Sequence, residues 1–163
     1  MPALIAVLLA EFGGRATLFA RLPQLSLAAT VLGLAVGIAA FGGFSLAPTM
    51  NANARALLLG LALILTGFGQ FGKASADDPP ATFIGTLLFV WRSGAPFLAF
   101  AFSVWKGAPI GAAAGALAGV AGAVALGAMP MSPQTILWLR RVSGATITLI
   151  GIYAAFWALR LIA

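Results

Sequence analysis

Glu11 is the residue to begin from, because it is an acid set in an otherwise apolar run from Pro2 to Arg21. Gly13 and Gly14 follow it, and Arg15 comes one helical turn later. A carboxylate at the centre of a bilayer costs about 2.5–3.5 kcal/mol even on a lenient insertion scale, so it faces a cavity or a partner. Its chemistry there is to carry a proton, to ligate a cation, or to neutralise a buried base. Arg15 lies at the i+4 spacing at which side chains meet on one helix face. Arg92 has no acid near it in sequence and sits in the middle of another apolar segment, so Glu11 is its natural partner if the segments cross. That pair reads either as a gate or counter-ion at a site, or as a structural ion pair that neutralises two buried charges.

The segments that must position these charges follow from composition. The chain has 163 residues, is 62% hydrophobic and only 7% charged, and a core of this length cannot hide so much apolar surface from water. An all-α integral membrane protein is the class expected. The net charge of +6 does not imply nucleic acid, since the basic residues are scattered singly at segment ends apart from Arg140 and Arg141. They read as topology signals and headgroup anchors, with the lipid bilayer as the partner. Cysteine and histidine are absent, which excludes disulfides, thiolate or imidazole metal sites, and Ser-His or Cys-His catalysis. No second buried acid and no nucleophile support an enzyme, and no cofactor is implied. A bound cation would need oxygen ligands, which points to hard ions or manganese.

Six segments are long enough to cross: about 2–21, 25–46, 54–72, 81–103, 108–129 and 136–161, at ~20 residues each. Pro23, the stretch from Pro48 to Asn53, the polar stretch at 73–80, Lys106-Gly107, and Pro130 with Pro133 separate them. Trp105 and Trp138 stand at segment edges, where amphipathic rings prefer the interface. The beginning MPALIAVLLA lacks a basic n-region and reads as the start of the first span, not as a signal peptide.

A repeat is visible. A shift of 79 lays Leu18-Phe19-Ala20 on Phe97-Leu98-Ala99, and lays Gly33-x3-Gly37 near Gly111-x3-Gly115-x3-Gly119. A slightly larger shift aligns Arg55 with Arg140 or Arg141. Halves at 1–74 and 75–163, each of three spans, must have opposite orientations, which is the inverted-repeat plan of many transporters with sites at the midplane. Basic residues fall five (Arg15, Arg21, Lys73, Arg140, Arg141) against three (Arg55, Lys106, Arg160) in alternate connections, favouring a cytoplasmic central loop and both termini outside. Asp77 and Asp78 read as loop solvation.

The glycines of segment five, from Gly111 through Gly115, Gly119 and Gly122 to Gly127, make a small-residue face. It reads as internal packing, with a sliding or dimerising surface as the alternative. Pro96 lies deep in the expected fourth span, with Gly13-Gly14 at nearly the matching place in the first. Two interruptions at matching positions point to a midplane site. Independent packing kinks explain them equally well.

The run Glu11-Phe12-Gly13-Gly14-Arg15-Ala16-Thr17-Leu18 resembles Glu-x-Gly-Asp-(Lys/Arg)-(Ser/Thr), the signature of the Gdt-type cation/proton exchangers. Those six-span proteins carry it once per half, on spans one and four, and are associated with manganese and calcium transport. The run NANARALLLGLALILTG is also similar to the family's third span. The chain departs from the pattern where Gly14 replaces the aspartate and Ala16 the hydroxyl. In the second motif, Val90-Trp91-Arg92-Ser93-Gly94-Ala95, both acids are missing and Arg92 replaces the glycine. One of four expected carboxylates survives.

The resemblance implies a divalent cation (manganese or calcium)/proton antiporter. Glu11, Gly13, Thr17 and Ser93 would form its cation- and proton-binding site, with Glu11 the metal ligand and Arg92 and Arg15 counter-ions. A partly dehydrated divalent ion needs several oxygens and compensating charge. Arg92 would therefore occupy the ion's place electrostatically, leaving transport weak or absent. The alternative is a degenerate, non-transporting membrane subunit or scaffold, paired as a homo- or hetero-oligomer. A multi-pass protein of a bacterial plasma membrane is the expected setting.

Overall fold

The computed structural model describes residues 1–11, 25–71, 82, 84, 93–129 and 132–159. Among these the architecture is all-helical: α1 (Pro2–Glu11), α2 (Leu25–Leu46), a 3-10 turn (Ala47–Thr49), α3 (Ala52–Gly69), α4 (Gly94–Lys106), α5 (Pro109–Gly127) and α6 (Pro133–Ala158). Four stretches, Leu25–Thr49, Ala52–Gly69, Pro109–Leu126 and Gln134–Ala158, are long and apolar enough to cross a membrane. Large apolar side chains such as Leu34, Ile38, Leu65, Ile110 and Leu149 point outward. Such an apolar exterior suits lipid and not water, so the chain is built to be membrane-embedded.

The helix ends follow local chemistry. Asn51 caps α3 by accepting from the Ala54 N–H at 2.7 Å. Ser132 caps α6 through the Thr135 N–H at 3.2 Å, with Pro133 in the first turn, where its missing N–H is no loss. Gly107 ends α4 in the left-handed region at φ 63°, which only glycine adopts freely. Lys106, in that last turn, lies 4.1 Å from the centre of the Trp105 ring.

Ser93 is extended, and its hydroxyl accepts from the Ala95 N–H at 3.2 Å, so α4 begins at Gly94. The proline at 96 therefore falls in the first helical turn, where the N–H it lacks needs no carbonyl. The backbone is thus extended at Ser93, inside the expected fourth span and three residues before Pro96. A side-chain cap outcompeted helix continuation there.

Packing is by backbone approach. The most extensive pair is α3 with α6, followed by α2 with α4 and α1 with α5. In the α3–α6 pair, a Cβ on Gly60 would meet Ala155 N and Gly151 O at 2.8 Å, and one on Gly67 would meet Gly144 O at 2.8 Å. The pairing is antiparallel, and the seven-residue spacing on both helices keeps the glycines on one seam. In the α1–α5 pair, Gly115 faces Ala3 and Leu4, Gly119 faces Leu4, Val7 and Leu8, and Gly122 faces Leu8. These two helices thus run parallel. The small face of segment five is internal packing at those three glycines, whereas Gly111 has nothing within 4 Å. Between α2 and α4, a Cβ on Gly43 would collide with the Phe100 carbonyl, and Ser103 donates to the Ala40 carbonyl at 2.6 Å.

Candidate functional site

The last residue of α1 meets the start of α4. Glu11 is 3% exposed, although it is an acid among apolar helices. Its Oε1 accepts from Ser93 Oγ at 2.8 Å and from the Gly94 N–H at 2.9 Å. Ser93 thus does two things with one oxygen: it donates to the carboxylate and accepts from Ala95. The Gly94 N–H is among the first of α4, and these have no carbonyl within the helix to bond. A carboxylate at that end is also favoured by the positive pole of the helix dipole. These two donors offset part of the cost of burying the carboxylate.

The third wall is α3. Thr66 approaches Gly94 so closely that a Cβ there would stand 3.0 Å from the Thr66 methyl. The same point lies 3.8 Å from Glu11 Oε1 and 3.9 Å from Thr66 Oγ1. Thr66 donates its hydroxyl proton to the Ala62 carbonyl at 2.7 Å. Three helices therefore meet at this junction, and the absence of a side chain on Gly94 lets the Thr66 methyl pack against it.

Of the residues expected at the site, Glu11 and Ser93 are brought together directly. Gly13, Arg15, Thr17 and Arg92 lie outside the described residues, so the expected counter-ions and the Glu11–Arg92 pairing do too. Thr66 was not foreseen. A lone threonine between Leu65 and Gly67 in an apolar helix reads as packing, and only its place beside Gly94 gives it significance. Among the described residues no three side chains of the His, Cys, Asp and Glu types gather.

A second polar strip runs along the α3–α6 seam, where Gln70, Arg140, Ser143 and Thr148 are all buried. Thr148 Oγ1 fills the notch left by Gly67, and it has no hydrogen-bond partner there. At Gly60, Gly67, Gly144 and Gly151 the two backbones approach so closely that a Cβ would meet the facing helix. Compared with known proteins, the chain matches no family model, no curated protein and no solved structure.

Proposed function

We propose that this chain is a six-span membrane transporter of the cation/proton exchanger kind, in which Glu11 is the surviving carrier carboxylate. The observation that carries the reading is the position of Glu11: buried, in an apolar bundle, bonded to Ser93 and Gly94 in the middle of the expected fourth span. An ionisable group so placed is by default functional. The inverted-repeat arrangement is supported by the pairing of helices. Exchanging α1 with α4, α2 with α5 and α3 with α6 turns the α1–α5 pair into the α2–α4 pair and returns α3–α6 to itself. The seam glycines obey the same exchange, since 144 − 60 and 151 − 67 both give 84.

Manganese or calcium is the cargo that the resemblance implies, exchanged for protons. With one carboxylate, hydroxyls and backbone carbonyls, the site supplies oxygens but a single negative charge, so divalent transport is expected to be slow. Gly13, Thr17 and Ser93 would complete the site, with Arg92 and Arg15 as counter-ions.

The test is flux in vesicles. The purified chain is reconstituted with an internal pH dye and given an outward gradient of manganese or calcium. Proton movement that requires the metal, and that Glu11→Gln abolishes, supports the reading. One observation favours the rival, a non-transporting subunit or scaffold. The Glu11 carboxylate already caps α4 within its own chain. Metal-independent pH traces, identical in wild type and Glu11→Gln, would select that rival.

A further inference from the structure

The two levels of the α3–α6 seam are built alike. A Cβ on Gly67 would meet Gly144 O at 2.8 Å and Thr148 N at 2.9 Å, and one on Gly151 would meet Gly60 O at 2.7 Å and Ile64 N at 2.8 Å. Thr148 stands 84 positions after Ile64, as Gly144 does after Gly60 and Gly151 after Gly67. Each level is therefore the other with the two helices exchanged. A slide along the seam would move these glycines off the facing helix and bring side chains of the next turn onto it, which overpacks the contact. A tilt about the seam keeps the glycines face to face.

The other two large contacts lie to one side of the Glu11–Gly94 junction. α1 packs on α5 through Ala3, Leu4, Val7 and Leu8, and α5 begins where α4 ends, at the Gly107 turn. The C-terminal half of α4 packs on α2, with Phe100 against Gly43 and Ser103 bonded to the Ala40 carbonyl. Val7, Ala40 and Ser103 are fully buried as a result. Among the described residues, these contacts close the end of the molecule that carries Met1 and Lys106.

A carrier built from two inverted halves has a second state, in which the halves exchange conformations and the site opens to the opposite side. A helix pair that this exchange maps onto itself makes the same contacts in both states. We propose that the α3–α6 seam is the stationary axis of the molecule, and that the α1–α5 and α2–α4 contacts separate together as the halves tilt about it, opening the end that carries Met1 and Lys106; this rests on reading the chain as an inverted-repeat transporter. The free-energy difference between the states then lies in the two detachable contacts and not in the axis.

Thiol labelling in lipid vesicles tests this without requiring transport. The chain has no cysteine, so a single replacement reports on one position. Ser103→Cys marks the α2–α4 contact, Val7→Cys the α1–α5 contact, and Thr148→Cys the seam, where that side chain meets Gly67. Each variant is treated with a water-soluble maleimide, and its rate is compared with that of the same variant unfolded in denaturing detergent. With an open state populated at about 0.1–10%, Val7→Cys and Ser103→Cys should react at about a thousandth to a tenth of their unfolded rates. Thr148→Cys should be slower than either by about tenfold or more. Ala3→Cys, which faces Gly115, serves if Val7→Cys folds poorly. Equal rates at all three positions, a faster Thr148→Cys, or no reaction at either of the other two would overturn the assignment. The expected contrast without metal-driven flux would leave the axis assigned and remove the exchanger reading, whereas metal-driven flux without the contrast would do the reverse.

Discussion

Ser93 Oγ lies 2.8 Å from Glu11 Oε1, across 82 positions of sequence, where α1 meets the start of α4. The same hydroxyl accepts from Ala95, so one side chain both starts α4 and holds α1 to it. Local capping and long-range assembly are here one interaction.

Ser93→Ala therefore removes a charge-assisted bond and an N-cap together. The two contribute about 1.5–3 and 0.5–2 kcal/mol in general, and they share an oxygen, so the joint loss should be about 2–3 kcal/mol. Thermal unfolding in detergent should show a lowered midpoint, largely recovered by Ser93→Thr. A midpoint equal to wild type would mean the bond adds nothing to folding.

Glycines at the α3–α6 seam should not tolerate a side chain, in contrast to glycines facing outward. Gly67→Val would drive methyls into the Thr148 hydroxyl and the Gly144 backbone, an overpacking that costs about 1–3 kcal/mol or more. Gly37→Ala, at a position with nothing within 4 Å, should be neutral or stabilising by up to about 1 kcal/mol through helix propensity. Comparing the two melting curves checks the contrast.

Thr148 is buried, and its hydroxyl has no hydrogen-bond partner among the described residues. Replacing such a group by an apolar one of the same shape is neutral or stabilising. Thr148→Val should unfold at the same temperature as wild type or higher. A marked loss of stability would reveal a bond made by that hydroxyl in solution.

Ser103 bonds to a carbonyl that lies inside α2 and already has the helix ladder available. Interhelical bonds of this kind in membranes contribute about 0.6 kcal/mol on average. Ser103→Ala should therefore cost well under 1 kcal/mol, far less than Ser93→Ala. Equal effects of the two changes would contradict the distinction between a helical carbonyl and a buried carboxylate.

How much of this could be read from the chain depends on what the residues encode. Glu11 was legible because an acid in hydrocarbon has few uses. Ser93 was legible through the layout of the second motif. The long apolar segments fixed α2, α3, α5 and α6 to within a few residues, since the spans expected at 25–46, 54–72, 108–129 and 136–161 overlap them closely. Pro96 marked the neighbourhood of a break in the expected fourth span, but composition does not reveal that a serine three positions earlier caps the helix that begins there. Partner choice was also hidden. The glycines on segment five announce a close approach without saying to what, because van der Waals packing of small residues carries no directional code. Only in three dimensions does α1 emerge as their partner, and Thr66 as the neighbour of Gly94.

The pairing of α1 with α5 bears on how the molecule is made. Ala3, Leu4 and Leu8 leave the ribosome early, while Gly115, Gly119 and Gly122, against which they close, are synthesised long afterwards. Until then α1 lacks its main partner, and two donors to its carboxylate, Ser93 and the Gly94 N–H, have not yet been translated. Nascent chains halted before Ser93 would hold Glu11 without these two donors, and the pairing of α1 with α5 waits on the second half of the chain.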